Sequence, residues 1–199
     1  MSGYNQGFYT YKVVLLGETA VGKTSLATQF VNKTYSRFQD STIGAAFLSK
    51  QVEVDGRQIR FEIWDTAGQE RYRSLAPMYY RNAKVALVVF DITNRASFEG
   101  AKSWVFELMN NLGGSSKIIM LGNKVDLEDK RQVKKEDIDL YIYQNGFEYY
   151  ETTATNFENV ETMFKKVAGN LDLEDGIYKS SNLDIQTQPV KVKKCWPFF

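Results

Sequence analysis

The chain has 199 residues, 43% of them hydrophobic, which predicts one domain of about 160 residues with short ends. Its formal net charge of +1 argues against nucleic acid as a partner, since nucleic-acid binding usually shows as a basic surface. With no histidine and one cysteine, histidine-based triads, His-ligated metals, cysteine zinc clusters and an intrachain disulfide are excluded.

The two ends of the chain differ in character from its middle. Residues 1–10 are polar and aromatic, unlike a signal peptide, and no stretch approaches the roughly eighteen apolar residues of a membrane-spanning helix. We expect a flexible N-terminus over 1–10, one domain over 11–173 and a flexible tail over 174–199. A cytosolic protein, or one bound to the cytosolic face of a membrane, follows from this pattern.

Strand and helix patterns alternate along the domain, which indicates a mostly parallel sheet wrapped by helices. Strand patterns cover residues 11–16, 47–54, 57–64, 85–91, 117–122 and 148–152, and helix patterns cover residues 23–32, 75–81, 97–112, 134–145 and 160–171. Residues 113–116 and 128–132 are predicted loops. Asp55 and Gly56 form a tight hairpin turn, so the second strand should run antiparallel. The expected fold class is α/β, with a six-stranded mostly parallel sheet, one antiparallel strand and helices on both faces.

The first motif, residues 17–24, reads G-E-T-A-V-G-K-T between the first strand and the first helix. This is the pattern of a phosphate-binding loop, which kinases and ATPases share. Its backbone N–H groups would face phosphate oxygens, Lys23 would neutralise the β and γ charges, and the Thr24 hydroxyl would ligate Mg²⁺. The predicted nucleotide contacts here are Gly17, Thr19, Ala20, Val21, Gly22, Lys23, Thr24 and Ser25.

The second motif, residues 65–69, reads D-T-A-G-Q and directly follows the third strand. Asp65 is placed to hold Mg²⁺ through water, and Gly68 is placed to donate its N–H to the γ-phosphate. Gln69 would orient the attacking water and is the candidate catalytic residue. The motif therefore predicts hydrolysis of the nucleotide as well as binding.

The third motif comprises Asn123, Lys124 and Asp126 at the end of the fifth strand. Guanine presents two donors on its Watson–Crick edge, which one carboxylate accepts, whereas adenine turns a lone pair toward Asp126. Lys124 would cover one face of the base, and Asn123 would tie this loop to the phosphate loop. The three motifs together predict a GTP switch, and they nearly exclude a metabolic kinase or ATPase.

These motifs and the stretches STIGAAF (41–47), RYRSLAP (71–77) and MYYRNA (78–83) resemble the Rab family of the Ras superfamily over about residues 11–171. The segments IGAAF and SLAPMYYR are similar to the early-endosomal branch. The resemblance implies the small G-protein fold, Mg²⁺, slow conversion of GTP to GDP and regulation of vesicle traffic. It further implies a monomer that works with an exchange factor, a GTPase-activating protein, a GDP-dissociation inhibitor and effectors, at the cytosolic face of endosomal or other vesicular membranes.

The resemblance also assigns residues in the two expected switch segments, 37–47 and 65–80. Thr42 matches the threonine that ligates Mg²⁺ only when the γ-phosphate is present, and Tyr35 matches an aromatic that packs against guanine. Ser36 and Arg37 join Tyr35 as nucleotide contacts. The remaining assignment is a hydrophobic triad read by effectors, for which core packing is the alternative: Phe47, Trp64 and Tyr79.

Two positions depart from the family pattern. Thr153, Ala154 and Thr155 stand where the family usually reads Ser-Ala-Lys. The Ala154 N–H would still reach the guanine oxygen, but the missing lysine stem predicts faster nucleotide exchange. Thr19 and Ala20 stand where much of the superfamily has glycine, which predicts slower hydrolysis.

The slower hydrolysis keeps a second hypothesis open, a nucleotide-bound scaffold with negligible turnover, although Gln69 favours a hydrolysing switch. The chain offers no arginine finger of its own, so the GTPase-activating protein is expected to supply one. The tail carries Cys195, the fifth residue from the end, after a run of lysines. Prenylation of Cys195 is predicted from the resemblance, and an unmodified tail is the alternative.

Overall fold

The computed structural model describes residues 7–113, 116–172 and 176–179. Within these ranges, none of the helices has both the length and the apolar character that a membrane crossing requires. The strands form one mixed sheet. They are β1 (Phe8–Leu16), β2 (Ala45–Val54), β3 (Arg57–Thr66), β4 (Val85–Asp91), β5 (Lys117–Asn123), β6 (Glu148–Glu151) and β7 (Ile177–Lys179).

The strand order is β2-β3-β1-β4-β5-β6, and β7 pairs with the first residues of β1. The β2 and β3 strands are antiparallel, joined by a turn in which Asp55 and Gly56 both have positive φ, 52° and 71°. The other neighbours in that order are parallel. Because parallel strands end at one edge of the sheet, the motifs that follow β1, β3 and β5 are brought together there.

In the part of the chain that the structure describes, five α-helices and two 3₁₀ segments connect the strands. The α-helices are α1 (Lys23–Asn32), α2 (Ala76–Tyr80), α3 (Arg95–Asn111), α4 (Lys135–Asn145) and α5 (Phe157–Gly169), and the 3₁₀ segments are Glu70–Leu75 and Val125–Lys130. Asparagine side chains fix two of the starts: Asn94 accepts from the Ala96 N–H before α3, and Asn156 accepts from the Asn159 N–H before α5.

The helices cover both faces of the sheet. On one face Phe30 of α1 stacks on Phe164 of α5 with ring centroids 3.8 Å apart. On the other face Phe90 of β4 packs against Phe98 of α3 at 4.9 Å. Every residue of β4 is buried, as expected for a central parallel strand. These two cores hold the strand ends, and hence the site, in place.

The predicted α/β class and its main elements are confirmed, with differences at their ends. The structure adds a seventh strand, β7, in a second antiparallel pair with β1, where a six-stranded sheet was predicted. Three residues are too few for a strand pattern to be visible in the sequence. Residues 128–132, predicted as a loop, lie partly in the 3₁₀ segment Val125–Lys130. The α5 helix begins earlier than predicted because Asn156 caps it.

Candidate functional site

The loop between β1 and α1 has an unusual backbone conformation. Gly17, Ala20 and Gly22 all have positive φ, at 141°, 63° and 98°. A Cβ at Gly17 would lie 2.2 Å from the carbonyl oxygen of Val89, so only glycine fits there. The turn ends where α1 begins, and the N-terminus of a helix carries unpaired N–H groups that suit an anion.

Lys23 closes this loop from inside. Its Nζ donates to the carbonyl oxygens of Gly17 and Glu18 at 2.7 and 2.8 Å, and the residue is only 5% exposed. Burial lowers the pKa of Lys23 to about 8, although the negative charges of Asp65 and Glu18 act in the opposite direction. The ammonium is therefore poorly solvated, and the phosphates of a nucleotide would stabilise its charge.

The three predicted metal ligands converge on one hydroxyl. The Thr24 hydroxyl donates to Asp65 Oδ2 at 2.7 Å and lies 2.8 Å from the Thr42 hydroxyl. Asp65 is fully buried, and its Oδ1 has no hydrogen-bond partner. Burial raises the pKa of Asp65, and the hydrogen bond from Thr24 and the charge of Lys23 oppose that rise. A buried carboxylate with an unsatisfied oxygen is the environment that a cation relieves.

This donor set fits Mg²⁺ better than a transition metal. No group of three or more histidine, cysteine, aspartate or glutamate side chains that could hold a metal occurs in the described part of the chain. One carboxylate and two hydroxyls are hard oxygen donors. Mg²⁺ is usually held by one or two such protein ligands together with water and substrate phosphates.

Both predicted switch segments meet next to these ligands. The Ala67 N–H donates to the Gly44 carbonyl at 2.8 Å, which joins the end of β3 to the start of β2. A Cβ at Gly68 would lie 2.5 Å from the Glu18 carbonyl and 2.6 Å from Lys23 Nζ. Gly68 therefore lies directly against the phosphate loop. Gln69 follows it at the start of the 3₁₀ segment Glu70–Leu75.

A cleft of about 310 Å³ opens over these residues. The predicted site residues that line it are Thr19, Ala20, Gly22, Lys23, Thr24, Ser25, Tyr35, Ser36, Arg37, Thr42, Gly68, Gln69 and Lys124. The lining also includes residues that the sequence analysis did not single out: Gln39, Asp40, Ser41 and Thr66. Three of those precede Thr42 directly, so their position beside a predicted ligand was the signal that could have found them.

The other predicted site residues do not line the cleft. Gly17, Val21 and Asp65 are buried beneath it. Asn123, Asp126 and the segment 153–155 lie outside the lining of the cleft. The structure thus brings most of the predicted phosphate and metal residues into the lining of one cavity. Lys124, which is part of that lining, and the hydrogen bond of Asn123 to Val21 connect the loop after β5 to it.

The loop after β5 is tied to the phosphate loop by two side chains. Asn123 Nδ2 donates to the Val21 carbonyl at 2.8 Å, which is the connection expected of Asn123. Lys124 Nζ donates to the Ala20 carbonyl at 2.8 Å and pairs with Asp91 Oδ2 at 2.6 Å. Asp91 was not anticipated, and its ion pair with Lys124 holds the lysine stem along the cleft.

Asp126, the predicted base reader, has its own support. The Thr153 hydroxyl donates to Asp126 Oδ1, and the Thr155 hydroxyl lies 2.8 Å from the Thr153 hydroxyl. The Thr153 N–H donates to Asn159 Oδ1 at 2.9 Å, so α5 fixes this loop. Ala154 between the two threonines is buried. Asn159 carried no sequence signal, since it lies outside the three motifs and just before the predicted helix pattern of residues 160–171.

The predicted triad forms a continuous aromatic contact. Trp64 meets the Phe47 ring at 5.4 Å and the Tyr79 ring at 5.8 Å between centroids. Phe47 is 55% exposed, and Trp64 and Tyr79 are partly buried against the second core. The triad therefore lies at the surface between the two switch segments, with its inner members packed on the core. Cys195 lies outside the described residues.

The comparisons with known proteins agree with this geometry. Residues 12–172 match the Ras family model. The chain is 50% identical to the Ras-related protein RABF2b of Arabidopsis thaliana over 160 residues, which are 80% of each chain. It is 49% identical to the GTP-binding protein ypt5 of Schizosaccharomyces pombe over 166 residues, 82% of this chain and 79% of that protein. Identity to the Ras-related protein Rab5 of Nicotiana tabacum is 44% over 180 residues, 90% of each chain.

Proposed function

The chain belongs to the Rab branch of the Ras family of small GTPases, and from that premise we propose that it is a Mg²⁺-dependent switch regulating endosomal membrane traffic. Members of this family bind guanine nucleotides and hydrolyse GTP. The observation that carries the proposal is the meeting of Thr24, Thr42 and Asp65 within hydrogen-bond distance beside Lys23. It joins the phosphate loop to both switch segments at one point.

Nucleotide binding is divided between two ends of the site. At one end the N–H groups of the phosphate loop and the charge of Lys23 receive the β- and γ-phosphates. At the other, Asp126 accepts the two guanine donors, Lys124 and Tyr35 cover the base, and the Ala154 N–H reaches the guanine oxygen. A Mg²⁺ ion held by Thr24, Thr42 and, through water, Asp65 would neutralise phosphate charge.

Hydrolysis needs little covalent chemistry from the protein. Gln69, which lines the cleft at the end of β3, orients the attacking water. The Gly68 N–H donates to the γ-phosphate, and Lys23 stabilises the charge on the transferred group. An activating protein supplies an arginine to the same cleft. Loss of the γ-phosphate removes the partners of Gly68 and Thr42, so both switch segments are released.

Effectors then read a surface that exists in one nucleotide state. That surface contains the exposed ring of Phe47 and the contacts of Trp64 with Phe47 and Tyr79. Rab-family proteins are generally regulated by exchange factors, activating proteins, GDP-dissociation inhibitors and effectors, and we assign the same classes of partner to this chain. We further propose that it acts as a monomer on the cytosolic face of endosomal membranes.

Prenylation of Cys195 would supply the lipid half of a two-signal anchor, with Lys191, Lys193 and Lys194 supplying attraction to anionic lipid. The intact mass of the protein from cells tests this directly. A prenyl-sized increase that disappears in Cys195→Ser supports the anchor, and an unmodified mass in both proteins contradicts it.

The function is tested by identifying the nucleotide that copurifies with the protein and following its fate. We expect GDP or GTP and no adenine nucleotide. In a single-turnover assay with Mg²⁺, bound GTP should decay to GDP over minutes to hours. GTP that persists unchanged would favour the scaffold without turnover, and copurified ATP would contradict guanine recognition. Lys23→Ala is the binding-deficient control.

A further inference from the structure

The hydrogen bonds around Asp126 have a direction that can be worked out by counting hydrogens. A threonine hydroxyl has one hydrogen to donate, and a carboxylate only accepts. The Thr153 hydroxyl donates its hydrogen to Asp126 Oδ1. It therefore has none left for Thr155, whose hydroxyl lies 2.8 Å away. Thr155 must be the donor in that contact.

A second hydrogen bond, from the Thr155 backbone, has the same direction. Its N–H donates to the Thr153 hydroxyl oxygen at 3.2 Å. The Thr153 hydroxyl thus accepts two hydrogen bonds from Thr155 and donates one to Asp126. Hydrogen bonds aligned donor to acceptor in this way polarise and strengthen one another.

The middle member of this series is held rigidly. Thr153 is buried, and its N–H donates to Asn159 Oδ1 at 2.9 Å. The same oxygen accepts the Thr152 hydroxyl at 2.8 Å. With its backbone fixed by α5 and its hydroxyl held by Thr155, Thr153 presents its hydrogen to Asp126 in one orientation.

We propose that Thr155 is a positioning residue for guanine recognition, which acts through Thr153 to hold Asp126 ready for two donors. The inference rests on the proposed function, because Asp126 is the base reader only if the ligand is a guanine nucleotide. The Thr155 side chain is exposed and makes this contact in place of the stem that a lysine would extend over the base. Thr155 therefore affects recognition of the Watson–Crick edge of the base, because it helps to orient the Asp126 carboxylate.

Hypoxanthine is the probe for this role, since it differs from guanine by lacking the 2-amino group. It offers Asp126 one donor where guanine offers two. A carboxylate held in one orientation accepts both guanine donors well, whereas a carboxylate that rotates more widely loses part of the second bond. The preference for GTP over inosine triphosphate therefore reports the orientation of Asp126.

The experiment measures GTP and inosine triphosphate affinities by competition against a fluorescent GDP on the full chain. Thr155→Val keeps the shape and removes the hydroxyl, and Thr155→Ser keeps the hydroxyl. We expect Thr155→Val to lower the preference for GTP over inosine triphosphate about threefold to tenfold. Thr155→Ser should stay within about twofold of the wild type, as should the matched control Thr162→Val on the exposed side of α5.

Two results would overturn the proposal. One is an unchanged preference in Thr155→Val; if both nucleotides also bind equally more weakly, Thr155 only shapes the loop. The other is an equal loss of preference in Thr155→Ser and Thr155→Val. These leave the proposed function intact. A wild-type protein without preference for GTP over ATP would instead contradict the proposed function, and the role of Thr155 with it.

Discussion

The base end and the phosphate end of the site differ in what holds them. At the base end Asn123 is bonded to the Val21 carbonyl, and Thr153 is bonded to Asp126. At the phosphate end the segment before Thr42 is open, with Phe38 94% exposed. One contact that holds this segment against the phosphate loop joins the hydroxyls of Thr42 and Thr24, which lie 2.8 Å apart.

This difference separates recognition from switching. Contacts among the protein's own side chains preset the base end, so it should recognise guanine in both the GTP and the GDP states. At the phosphate end residues 32–41 are exposed, so the γ-phosphate and Mg²⁺ should decide the shape of this segment. A substitution at the base end should therefore change which nucleotide binds, and one at the phosphate end should change what the bound nucleotide does.

The largest effect is expected from Asp126→Asn at the base end. The new amide donates where the guanine 2-amino group also donates, whereas xanthine offers a carbonyl there. Preference for GTP over xanthosine triphosphate should fall by about 10³-fold or more in a competition titration. Asp129→Asn, an exposed aspartate three residues on, is the matched control. Unchanged GTP preference in Asp126→Asn would contradict the claim that the base end decides which nucleotide binds.

Gln69→Leu should produce the next largest effect, and only on hydrolysis. We expect the single-turnover rate to fall tenfold or more, about 1.4 kcal/mol of barrier, while GTP affinity stays nearly the same. Binding survives because Lys23, Thr24 and Gly68 are unchanged. Gln144→Leu on the exposed surface of α4 serves as the control. Equal rates in Gln69→Leu and the wild type would favour the scaffold without turnover.

The pH dependence of GTP binding tests how much the charge of Lys23 contributes to affinity. Burial lowers the pKa of Lys23 to about 8 in the protein without nucleotide. The bound phosphates favour the charged form, so GTP affinity should fall by up to about tenfold per pH unit as the pH rises above 8. Lys23→Arg keeps its charge throughout this range. Titration of the guanine ring affects both proteins alike, so parallel affinity profiles would contradict the assignment.

Much of the site was predictable because each motif combines residue types with a position at a strand end. The phosphate loop, the segment after β3 and the Asn123 contact with Val21 follow from that rule. The hydrogen bond between Thr153 and Asp126 joins residues 27 positions apart, and no local pattern reports it. The pairing of Lys124 with Asp91 was hidden for the same reason.

Other differences come from structure that is too short or too local to leave a pattern. The β7 strand has three residues and is held by pairing with β1. Gln39, Asp40 and Ser41 line the cleft because of the path that the chain takes toward Thr42. Such a path depends on tertiary contacts. The sequence patterns therefore predicted the side chains that line the cleft better than the side chains that hold them in position.

The smallest effect is expected from Phe47→Ala at the surface of the triad. Phe47 is 55% exposed, so its loss should lower the free energy of unfolding by less than about 1 kcal/mol. Phe30→Ala is the comparison variant, because Phe30 is fully buried and stacks on Phe164, and it should cost about 3–5 kcal/mol. Chemical denaturation measures both. A loss of several kcal/mol for Phe47→Ala would indicate core packing in place of partner recognition.

Hydrogen–deuterium exchange in the two nucleotide states tests the division between the two ends most directly. The protein is loaded with GDP or with a non-hydrolysable GTP analogue, each with Mg²⁺. Peptides covering residues 35–44 and 67–80 should exchange faster in the GDP form, while peptides covering 121–127 and 152–160 should exchange alike in both forms. Equal protection of the switch peptides in both states, or a change of the same size at the base end, would contradict the account.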